Sequence, residues 1–130
     1  MPRMRLNGRT LLCILALLCA CFASDKIAPE LLGTWNYTSM AALDKGKPSG
    51  TIHFHPGQWS VTFGNDAKWS MILPSNVNAH GLSGTYKIHK QTLEMRLSDG
   101  RPYYKYRFSF EEDGKVLVLT GDQSINRATR

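Results

Sequence analysis

From Gly33 onward, apolar side chains fall on every second residue, in short runs interrupted by turn-forming residues. A period of two marks half-buried strands, and turns spaced roughly 8–12 residues apart mark an all-β chain. Trp35 and Tyr37 alternate with polar neighbours over 33–39, and Thr51 to His55 alternates again before Pro56-Gly57. Trp59, Val61 and Phe63 share a face, Gly64-Asn65-Asp66 turns the chain, and Ala67, Trp69 and Met71 resume the alternation. Tyr86 and Ile88 precede the reversal at Lys90-Gln91, and Leu93, Met95 and Leu97 oppose Glu94 and Arg96. Ser98 to Arg101 reads as a hairpin loop. Tyr104, Tyr106, Phe108 and Phe110 then oppose Lys105, Arg107 and Ser109. Glu112-Asp113-Gly114 leads into 115–120, and Ser124 to Ala128 closes the series. Only 28–32 suggests a short helical turn.

The pattern predicts about eight short antiparallel strands, apolar on one face and solvated on the other. A sandwich shares that alternation. Hairpin-length connections favour a small up-and-down β-barrel, which leaves no edge to aggregate. The longest loop runs from Pro74 to Ser83 and is rich in Asn, Ser and Gly.

The first residues follow another logic. Arg3, Arg5 and Arg9 precede an uncharged apolar run from Leu11 to Ala23. That run is too short to cross a hydrocarbon core, which takes about 20 helical residues. Basic start, apolar middle and small residues at the end predict a signal peptide over 1–23 and a single domain over 24–130. Two cleavage points fit. Cys21-Phe22-Ala23 suits a cut before Ser24, while Leu18-Cys19-Ala20-Cys21 resembles a bacterial lipobox that would leave a lipidated Cys21. The chain is therefore expected to be exported: periplasmic, anchored to the outer membrane through Cys21, or secreted. All three Cys lie in this leader, so the domain is expected to fold without a disulfide. Loss of the three Arg takes the formal charge from +6 to +3. The remaining cations are scattered among acids, and no nucleic-acid partner is expected.

Gly33-Thr34-Trp35, directly after Glu30-Leu31-Leu32, resembles the Gly-x-Trp opening of lipocalins and small bacterial lipocalin-like domains. Phe54 to Gly57, Gly84 to Ile88 and Asp113 to Leu119 agree with the resemblance. It implies that Gly33 and Trp35 close one end of the barrel while an Arg from the last strand, here Arg127, stacks on the Trp ring. It also implies a non-catalytic binding protein for a small apolar ligand. An eight-stranded barrel is either filled by its own side chains or holds one small ligand, so an envelope-structural or protein-interaction module, using a loop such as 74–83, stands as the alternative.

Inward-facing aromatic residues are the chemical signal. Tyr37, Phe54, Trp59, Phe63 and Trp69 fall on the expected inner face, as do Tyr86, Met95, Tyr104, Tyr106 and Phe108. Such a set builds either a core or an apolar pocket with a few orienting hydroxyls. Catalytic motifs are missing: there is no Gly-x-Ser-x-Gly elbow, no HExxH and no CxxC. No enzyme activity and no cofactor are expected. His53 and His55, at i and i+2, have a spacing that can hold zinc but need a third ligand, which makes a hydrolase the least favoured reading. A membrane is expected to matter only through an anchor at Cys21. The protein partner, if one exists, is not specified by the sequence.

Overall fold

The computed structural model describes residues 28–74 and 81–130. The leader, with Cys21 and both cleavage points, lies outside the described residues, as does most of the 74–83 loop.

Among the described residues, nine strands follow a short 3-10 turn at Pro29–Leu31. They are β1 (Gly33–Asp44), β2 (Lys47–His53), β3 (Ser60–Phe63), β4 (Lys68–Ile72) and β5 (Leu82–His89), then β6 (Thr92–Leu97), β7 (Pro102–Glu111), β8 (Val116–Thr120) and β9 (Ser124–Thr129). Every pairing is antiparallel, and β9 returns to β1, with Ala128 opposite Tyr37 and Asn126 opposite Met40. Eight strands, β1 and β3 to β9, thus close an up-and-down barrel.

β2 stands outside that ring. It shares one edge of β1 with β3: Gly33 to Asn36 pair with β3, and Ser39 to Asp44 pair with β2. Between them the segment 54–59 loops out, held where Phe54 N–H donates to Thr38 O (3.0 Å) and Tyr37 N–H to Trp59 O (2.8 Å). β2 lies along β1 outside the ring, and all of it is exposed. Ile52 is 56% exposed for this reason.

The inner face is filled largely as the alternation requires. Trp35, Tyr37, Val61, Phe63, Trp69, Met71, Tyr86, Leu93, Met95, Tyr106, Phe108, Leu117 and Leu119 form one buried core. Trp69 sits directly opposite Gly84. Its indole N–H bonds the carbonyls of Thr85 and Arg96, both at 3.0 Å. A Cβ on Gly84 would lie 1.7 Å from Arg96 O, so β5 and β6 approach each other there only because the side chain is absent.

Candidate functional site

Strand direction divides the barrel into two ends. The starts of β1, β4, β6 and β8 lie at one end and their finishes at the other. The first end is shut. The 3-10 turn begins at Pro29, which lacks the N–H that a first turn cannot satisfy, and it lays the fully buried Leu31 over the opening. Gly33 adopts φ +110, open to glycine at no cost, and so turns the chain into β1. Trp35 is wholly buried, and its indole N–H donates to Leu31 O at 2.8 Å.

The cation over Trp35 is Arg130, with its guanidinium carbon 4.5 Å from the ring centroid. Arg130 also donates to Leu32 O at 3.2 Å and Gly114 O at 3.5 Å. It thereby ties the opening turn to the β7–β8 loop. This corrects the expectation for Arg127. Ser124, Asn126 and Ala128 take the inward positions of β9, so Arg127 points outward and pairs with Glu111. Only a residue past the end of β9 reaches back across the Trp.

Four of the expected ligand-facing residues belong to this shut half or to the filled core. Phe63 and Tyr86 meet edge to face at 5.2 Å. The Tyr86 hydroxyl donates to Gly64 O at 2.6 Å, and burial raises its pKa. Phe108 packs on Phe110, which reaches Trp35 at 5.9 Å. Met95 is buried between Tyr86 and Tyr104.

The opposite end is different. An apolar groove of about 410 Å³ lies there, lined chiefly by Met40, Ile52, Phe54, Trp59, Leu73 and Pro74. Tyr37 stacks on Trp59 with centroids 4.0 Å apart, and Phe54 meets Trp59 edge-on at 5.1 Å. A second aromatic run passes from Trp69 through Tyr103 and Tyr104 to Tyr106, with successive centroids 4.9–5.4 Å apart. Tyr104 pairs with the buried Met95, so it starts from the inner face, yet it remains 48% exposed. A half-exposed ring on an inward position belongs to a mouth. Its expected burial is thus corrected: a bulge between Met95 and Arg96 inserts Tyr103 into the register, and Tyr103 takes the more buried place.

The polar groups here are few and uncharged. Ser60 and Asn126 are the only buried polar or charged residues among those described. Burial holds the Tyr37 hydroxyl well above its ordinary pKa, with Tyr106 and Tyr103 adding to the shift. Burial likewise raises Tyr106, with Tyr103 and Tyr104 adding to the shift and the Asn126 side chain partly offsetting it. Among the described residues, two buried side-chain atoms are left without a hydrogen-bond partner, Trp59 Nε1 and Asn126 Oδ1. By contrast, the indoles of Trp35 and Trp69 both reach backbone carbonyls. Asn126 and Met40, which faces it across β9 and β1, were not anticipated. The signal for Asn126 was its place on an inward position between Ser124 and Ala128.

His53 and His55 are both exposed, and His53 lies at the groove rim. Gln58 Oε1 and the His55 carbonyl close the 55–58 turn. Among the described residues, no group of three His, Cys, Asp or Glu comes together. A larger hollow of about 570 Å³ lies on the outer wall, bordered by Thr62, Asp66, Lys68, Ser70, Ser83 and Thr85. Its hydroxyl lining contrasts with the apolar groove. No protein-family model matches the chain, and no curated protein matches it.

Proposed function

We propose that the chain is an exported, lipocalin-like binding protein that holds a small apolar molecule at the open end of its barrel without transforming it. The observation that carries this reading is the asymmetry of the two ends. One is plugged by Leu31, Trp35 and Arg130, while the other offers an apolar groove beside half-exposed aromatics. Groove volume falls in the usual range for small-molecule sites, about 300–1,000 Å³. Burying apolar ligand surface there supplies affinity at about 25 cal/mol per Å². The basic, apolar leader supports export, and Cys21 supports a lipid anchor as one of its two outcomes.

The test is titration with the neutral fluorophore N-phenyl-1-naphthylamine. Saturable enhancement with one site per chain is expected, weakened by Trp59→Ala or Tyr106→Ala. A probe that stays dark at all protein concentrations overturns the reading. A second reading, an interaction module, draws on the outer edge of β2, whose backbone groups face no strand among the described residues. Such an edge accepts an added strand from a partner, although Pro48 and Lys47 blunt its start.

A further inference from the structure

We propose that the outer wall of β5–β7 docks the protein on an anionic phospholipid bilayer. Cations separated along the chain meet on this wall through strand register. Lys87 stands opposite Glu94, and Glu94 stands opposite Lys105. Arg96 faces Thr85, Arg107 faces Thr92, and Lys90 sits in the turn that joins β5 to β6. All five cations are exposed. Strands about 4.8 Å apart, rising about 3.3 Å per residue, spread them over roughly 10 by 20 Å. Neighbouring cations therefore lie within about one screening length, roughly 10 Å at 0.1 M salt, and act together.

The charge of the domain is one-sided. Residues 24–130 carry a formal +3; the five cations less Glu94 give +4, which leaves −1 for everything else. Glu94 does not neutralise its neighbours, because its carboxylate is held by Arg96 at 3.1 Å. Among the described residues, Lys87, Lys90, Lys105 and Arg107 have no ion pair. Long exposed side chains without fixed partners sense charge density rather than shape, and a charged bilayer surface asks only for that. Each Lys or Arg near such a surface strengthens binding about fivefold. Export, as proposed above, brings the chain beside a membrane. β6, the middle strand of the wall, is the fourth strand from β1 around the ring of eight. It lies across the barrel from the groove that β1 and β2 border, so a chain resting on the wall keeps its groove open.

The experiment is co-sedimentation of the chain, as its host processes it, with vesicles of phosphatidylcholine alone or mixed in equal parts with phosphatidylglycerol. A leader or an acyl anchor inserts into both, so the readout is the ratio of the two partition coefficients. In low salt that ratio should be about a hundredfold, as a net excess of several positive charges implies, and high salt should collapse it towards one. Lys87→Gln with Lys105→Gln should cut the ratio about 25-fold, two charges at about fivefold each. Lys45→Gln with Lys47→Gln removes the same charge from the hairpin across the barrel and should change it less than about twofold, because those cations stand beyond the screening length. Equal partition into both vesicles, or equal losses from the two double variants, overturns the proposal. Tighter binding to soluble polyglutamate than to the anionic vesicles also overturns it, and assigns the wall to an acidic protein.

Discussion

The two ends of this barrel are built from the same kinds of residue and put them to opposite use. At the shut end, Trp35 has its N–H on Leu31 O and a guanidinium over its face. At the open end, Trp59 has one face on Tyr37, an edge on Phe54 and an N–H without a partner. The tyrosines divide similarly: Tyr86 donates to Gly64 O, whereas Tyr104 stands half in solvent. A residue whose polar atom is satisfied within the fold contributes to stability. Trp59 Nε1, on a residue that lines the groove, has no such partner among the described residues.

The largest expected effect breaks the shut end. Trp35→Ala should lower unfolding free energy by about 3–5 kcal/mol, the usual range for deleting a buried aromatic, whereas Trp59→Ala should cost less than half as much. Urea denaturation of both variants checks the ordering. Gly84→Ala comes next. The added Cβ overlaps Arg96 O and should force β5 and β6 apart at about 1–3 kcal/mol, a typical overpacking penalty, with loss of the near-ultraviolet signal from Trp69.

Alkali sharpens the comparison differently. Burial raises the pKa of Tyr37 and Tyr106 above the ordinary value of 10.0. The folded state therefore keeps protons that the unfolded chain releases above about pH 10, so stability is full below that pH and declines above it. Each of the two should contribute about 1.4 kcal/mol per pH unit over that interval. Denaturation midpoints measured from pH 9 to 11.5 should fall steeply, and Tyr37→Phe should flatten the slope. The smallest effect separates two arginines. Arg130→Ala should cost about 0.5–1 kcal/mol, as an exposed cation–π contact does, and alter the circular dichroism of Trp35. Arg127→Ala, which removes an exposed ion pair worth about 0–1 kcal/mol, should leave that signal unchanged.

Most of the barrel was legible because one face of each strand is wet and the other dry, which writes burial directly into alternation. The reversals at Lys90-Gln91, Ser98 to Arg101 and Glu112 to Gly114 stand where the turn residues placed them. The β1–β2 hairpin was not legible. Lying outside the ring and exposed along its whole length, β2 has no buried face to impose a period of two. Tyr104 and Arg127 show two other limits. A bulge slips the register by one residue without any sequence mark, and parity along β9 places Arg127 outside whatever its resemblance to a closing arginine. The groove draws on β1, β2, the 54–59 segment and the end of β4, an assembly that pairing creates and that no single run of sequence displays.

The most direct test of the two-ended account uses the three tryptophan indole N–H resonances in a nitrogen-15 correlation spectrum during titration with a neutral apolar probe. Trp59 should shift strongly and saturate with the probe, while Trp35 stays in place. Movement of Trp35 with Trp59 unmoved, or shifts confined to the hydroxyl-lined outer wall around Thr62 and Ser70, would contradict it.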